Sequence, residues 1–113
     1  MKDAHAAIDY IIKHSKEYAH AISRVTYLEH FRKTKKALCF QKSMKNTMAE
    51  KEADAYAHPE YQELLLGIEA AKERAEELRW MLIAAQARID VLRTEEASNR
   101  FLERSTIQIS SSK

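Results

Sequence analysis

Along the first half of the chain, Ile8, Ile11, Ser15, Tyr18, Ile22 and Val25 follow alternating steps of three and four residues. That spacing places them on one face of a helix. Leu28 and Phe31 shift the stripe slightly, and Leu38, Met44 and Met48 carry a looser version onward. Asp3 is suited to cap the start, because its carboxylate accepts backbone N–H bonds near the positive end of the helix dipole. No helix breaker stands between Lys2 and Ala57. The pattern predicts one long helix over about 3–57, with a kink or frayed stretch near Thr34 or between Ser43 and Thr47.

His58-Pro59-Glu60 is the main punctuation. Proline disfavours helix in the residue before it and is well placed in the first turn of a new one. Glu60 and Glu63 suit the positive end of that new helix. His58 therefore marks a corner, capping or bordering a second helix that starts at Pro59 and runs to about 103. In it, Tyr61, Leu64, Ile68, Ala71, Ala75, Leu78, Leu82, Ala85, Ile89 and Leu92 alternate three- and four-residue steps without a break. Such a seam implies packing against another helix with left-handed supercoiling. The small Ala71, Ala75 and Ala85 let the facing helix approach closely.

Two long helices joined by a short corner fold back antiparallel. The expected fold is all-α: a long antiparallel, coiled-coil-like helical hairpin over 1–104, followed by a flexible polar tail over 105–113. Ile107 and Ile109 are the tail's apolar positions, able to add a short strand to a partner. Leu65, Trp80, Met81 and Ile83 add apolar surface beside the seam. One hairpin buries one seam, so this surplus points to a helical-bundle oligomer, a dimer first. Leu64, Ile68, Leu78, Trp80, Leu82, Ile89 and Leu92 are the candidate interface residues.

Composition agrees with long helices. Gly67 and Pro59 are the single glycine and proline among 113 residues, too few for the turns of a sheet-rich fold. Cys39 is the single cysteine, so no disulfide forms within the chain and no cysteine-rich metal site exists in one copy. Asp3 and Asp9 interrupt the N-terminal stretch, which lacks a signal-peptide pattern. No run approaches the ~20 apolar residues that span a bilayer. The expectation is a cytoplasmic protein without membrane contact.

Charged residues make up 32% of the chain but leave a formal net charge of only +2. Their distribution is uneven. Arg24, Arg32, Lys33, Lys35, Lys36, Lys42 and Lys45 form a basic block in which Glu29 is the one acidic residue, with Tyr27, Phe31 and Phe40 interleaved. Glu50 to Glu77 is predominantly acidic. Two readings stand. The blocks pair across the hairpin or between subunits, or remain solvated. Alternatively, the basic block neutralises phosphates while Phe31 and Phe40 stack on bases.

Chemistry of other kinds finds little support. Glu17 and His20 form a Glu-x-x-His pair, but a di-iron bundle needs two such pairs and two further carboxylates. They flank the stripe and read as a solvated pair. His5, His14, His30 and His58 show no ligand spacing. Cys39 has basic neighbours yet reads as a small core residue. No phosphate loop, nucleophile elbow or zinc motif occurs. No metal, cofactor, small-molecule substrate or catalytic activity is expected.

Lys36-Ala37-Leu38, the run from Ala49 to Tyr61, and Leu78 to Ile89 continuing through Glu95-Glu96-Ala97-Ser98-Asn99-Arg100 resemble small proteins encoded by tailed bacteriophages and prophages. The resemblance covers most of residues 1–103 and carries no active-site motif. Such proteins belong to early regions beside genes for DNA replication and recombination. The resemblance therefore implies a non-enzymatic accessory role, through contact with DNA or a DNA-bound protein. Inhibition of a host nuclease or defence complex is the competing reading, with the acidic helix imitating DNA. A purely structural bundle is the third.

Overall fold

The computed structural model describes residues 2–111, with side-chain surroundings for 3–107. It is all-helical, with three helices in a hairpin-like arrangement: α1 Lys2–Lys42, α2 Met48–Ala57 and α3 Pro59–Ser111. Asp3 lies in the first turn of α1, not before it. The sequence reading of one helix over 3–57 is corrected here, because Ser43–Thr47 is not helical; the interruption falls in the second of the two stretches named for a kink or fraying, and the helix runs unbroken through Thr34.

Local hydrogen bonds explain that break. The Ser43 N–H donates to the Phe40 carbonyl at 3.1 Å, tightening the end of α1. The Lys45 N–H then donates to Ser43 Oγ at 3.2 Å. Thr47 is extended at φ −104°, ψ 156°, and its Oγ1 accepts the Glu50 N–H at 3.1 Å. Thr47-x-x-Glu50 matches the capping-box pattern, a start signal for α2 that the apolar spacing alone conceals. Met44 and Met48, read as seam positions, are 92% and 73% exposed.

The second corner is as expected. The His58 N–H donates to the Ala55 carbonyl at 3.3 Å and closes α2. Pro59 opens α3, and the Glu60 N–H donates to His58 Nδ1 at 3.1 Å. That bond satisfies one of the donors that every helix start leaves without an intrahelical partner. α3 then continues through Ser111, beyond the end near 103 that the sequence indicated. Ile107 and Ile109 lie in this helix and not in a strand.

The chain divides into two compact units. Unit 1 takes α1 up to Ser15 and α3 from Trp80; unit 2 is Lys16–Arg79. In unit 2, Lys42–Glu60, Glu29–Lys72 and Glu17–Arg74 ion pairs connect α1 to α3 in antiparallel sense. Its core contains Cys39, Ala55, Tyr61, Ile68, Ala75 and Leu78. Phe40 and Leu65 pack against the Cys39–Ala55–Tyr61 cluster. In unit 1, Ala4 and Ala7 are buried, Ile11, Leu82, Ala85, Ile89 and Leu92 are half-buried, and Asp3 pairs with Arg88 at 2.9 Å.

All ten positions of the α3 seam are buried or half-buried. The α1 stripe needs correction. Ile8 and Ile22 are exposed, as are Ser15 and Leu38. The inward positions are Ala4, Ala7, Ile11 and His14 in unit 1, then Tyr18, Ala21, Val25, Leu28 and Cys39 in unit 2. From Ala4 to Leu28 they keep three- and four-residue spacing, with small Ala4, Ala7 and Ala21 alternating with the larger Ile11, Tyr18, Val25 and Leu28. Small residues permit close approach of the helices, and larger isoleucines are left on the flanks.

Candidate interaction surfaces

The residues of the basic block divide between two sides of α1. Phe31 and Phe40 are nine residues apart, about two and a half helical turns, and so project in opposite directions. Phe31 lines one shallow groove with Arg24, Tyr27, Lys35 and Glu60. Phe40 lines another with Lys33, Lys36, Met48 and Glu52. The two phenylalanines named as stacking groups therefore serve separate surfaces.

Three lysines of the block are already engaged within unit 2. Lys36 Nζ donates to Glu52 Oε1 at 3.0 Å and to the Tyr56 hydroxyl at 2.6 Å. It also lies 4.2 Å from the Tyr56 ring centroid. The Tyr56 hydroxyl, then Glu52, hold its ammonium above the ordinary lysine range. Lys42 bonds Glu60 at 2.8 Å, and Lys35 stands 3.8 Å from the same carboxylate. The Lys42 bond keeps Glu60 below the usual carboxylate range. Lys35 also approaches the Phe31 ring, and Arg24 the Tyr27 ring, each at 5.8 Å. Arg24, Arg32, Lys33 and Lys45 are exposed. Part of the acidic block is engaged in turn, since Glu52 and Glu60 face lysines and Glu77 lies near Arg74. Lys72, on α3, bonds Glu29 of α1 at 2.7 Å.

Among the interface candidates, Ile68 and Leu78 are buried and Leu64, Leu82, Ile89 and Leu92 half-buried within the chain. Trp80 differs, being 57% exposed. It opens a second pattern on α3 in unit 1. Trp80, Ile83, Ala87, Val91, Thr94, Ser98 and Phe101 return at three- and four-residue steps, and every one is exposed. By helical rotation this stripe lies opposite Leu82, Ala85, Ile89 and Leu92. Its large members are well exposed, with Val91 at 55% and Phe101 at 69%. Leu102, 61% exposed, flanks it.

Glu17 and His20 are both exposed and line a small groove with Arg24, Arg74 and Leu78; Glu17 faces Arg74 at 3.7 Å. His14 stacks on Tyr10 at 4.0 Å, and its Nδ1–H donates to the Tyr10 carbonyl at 3.0 Å. One cluster escaped the sequence reading altogether: Cys39, His58 and Glu60 bring a sulfur, a ring nitrogen and a carboxylate oxygen within 4.8 Å of one another. No spacing rule finds it, because its members come from the end of α1, the corner and the start of α3.

No protein-family model, curated protein or solved structure matches this chain. No helix among the described residues is long and apolar enough to cross a membrane.

Proposed function

We propose that this chain is a non-enzymatic helical interaction protein that works as a homodimer, joined through the outward stripe of α3 in unit 1. The observation behind the reading is that stripe: Trp80, Ile83, Val91 and Phe101 are exposed at helix-pairing intervals. A second α3 offers the same spacing, so a two-fold axis supplies each stripe with a matching one.

The resemblance to phage and prophage early-region proteins is the ground for setting this assembly in phage DNA metabolism, or in blocking a host defence, in the host cytoplasm. A double substitution, Val91→Glu with Phe101→Glu, should convert the sedimenting species to a 13.1 kDa monomer. Helicity by circular dichroism should persist, because both residues face outward. A variant with unchanged mass would reject this surface.

A DNA-contacting reading has its own observation, the exposed Arg24, Arg32, Lys33 and Lys45. With Lys35, Lys36 and Lys42 held by carboxylates, fewer charges are at hand for phosphate than the sequence offers. Retention on single- or double-stranded DNA should then fall steeply between low and physiological salt. Reversing Lys33 and Arg32 to Glu should abolish it, whereas no retention at low salt would remove this reading.

A further inference from the structure

We propose that Cys39, His58 and Glu60 form a binding site for a divalent transition-metal ion of the zinc type. Each contributes one ligand atom, and the three atoms lie within 4.8 Å of one another. Tetrahedral zinc, with bonds of about 2.0–2.3 Å, requires ligand atoms about 3.3–3.7 Å apart. The cluster must therefore contract by about 1 Å, which side-chain rotation supplies.

The contraction has a fixed point and two adjustable ones. Cys39 is 1% exposed and packed with Ala55 and Tyr61. His58 is half-buried at the corner, where its Nδ1 accepts the Glu60 N–H, a bond it gives up to ligate an ion. Glu60 is exposed on a flexible stem in the first turn of α3. Its present partners, Lys42 and Lys35, sit on long side chains at the surface. Exposed ion pairs of this kind contribute little stability, so an arriving cation displaces them at small cost.

The donor set selects the ion. Thiolate and imidazole favour zinc and cobalt over magnesium and calcium, which take oxygen ligands. Three protein donors leave the fourth tetrahedral position for water. On binding, the Cys39 S–H bond is broken and its proton passes to solvent, the His58 Nδ1 lone pair exchanges the Glu60 N–H for the ion while Nε2 keeps its proton, and the Lys42 ammonium is released from the Glu60 carboxylate. The bound ion then ties the end of α1 to the start of α3 across α2. This site lies in unit 2 and does not depend on the outward stripe of unit 1.

The test is titration of the metal-free full-length protein with Co²⁺, read by optical absorption. The expected result is one ion per chain, with a sulfur-to-cobalt charge-transfer band and the intense visible bands of a tetrahedral ion, both abolished by Zn²⁺. Cys39→Ser should remove the sulfur band. Glu60→Gln, a surface change that leaves helicity intact, should weaken cobalt binding at least tenfold, and His20→Ala should leave it unchanged. Wild-type protein without a sulfur-to-cobalt band would overturn the proposal, as would a Glu60→Gln variant that binds with wild-type affinity.

Discussion

Gly67 sits in the interior of α3 with helical backbone and an exposed position. A Cβ added there meets no atom within 4 Å, and no glycine has positive φ. Nothing in the chain itself therefore requires glycine, which carries an entropic cost in helices. Gly67→Ala should stabilise the protein by about 0.5–1 kcal/mol, measured by urea or thermal unfolding. Glu29 carries a prediction about pH. Its bond to Lys72 holds its pKa below the ordinary carboxylate value. A lowered folded value means the contribution is complete above the unfolded value and is lost as pH falls through the folded one. Glu29→Gln should thus melt lower than wild type at neutral pH, with the gap closing under acid; the effect is small because the pair is exposed to solvent. A gap that is constant with pH would assign Glu29 a packing role instead.

Among the elements, α2 depends most on its local signals. It is short, and Ala55 is its buried residue, so the Thr47 cap holds a larger share of its stability than a cap on a long helix would. Thr47→Ala should cost about 1 kcal/mol, with amide exchange accelerated in Met48–Lys51 before the rest of the chain. Element by element, legibility followed side-chain size. The inward face of α3 was readable because Leu64, Ile68, Leu78 and Leu82 are large and regularly spaced. The inward face of α1 was readable only in part: Ile11, Tyr18, Val25 and Leu28 stand on it, but Ala4, Ala7, Ala21 and Cys39 carry little hydrophobic signal while exposed Ile8 and Ile22 carry much. The interruption before α2 was legible as a kink or frayed stretch between Ser43 and Thr47 but not as a helix end, because that stretch contains neither Gly nor Pro; the signal for a new start was the Thr47–Glu50 box. Residues 105–111 are polar apart from Ile107 and Ile109, yet nothing among them stops a helix once it has started. The Cys39–His58–Glu60 cluster was illegible for a different reason, since it exists only after the chain has turned twice.

At the scale of the whole molecule, the charge blocks and the apolar stripes play different parts. Lys35, Lys36 and Lys42 meet Glu52 and Glu60 within one chain, which accounts for much of the charge segregation as matching between helices. The outward stripe of α3 instead keeps large apolar side chains exposed, Val91 at 55% and Phe101 at 69%, and that exposure is the ground for self-association. Coupling between the two surfaces is open to the same physics. If dimerisation orders α3 beyond Leu92, amide exchange in 93–107 should slow as protein concentration rises, because association stabilises only the paired state.

The most direct measurement is the molar mass of the wild-type protein by light scattering over a dilution series. The account predicts twice the 13.1 kDa chain mass at high concentration, falling towards the chain mass only on strong dilution. A mass of 13.1 kDa across the whole series would contradict it, and would leave the α3 stripe without a second copy of the chain as its partner.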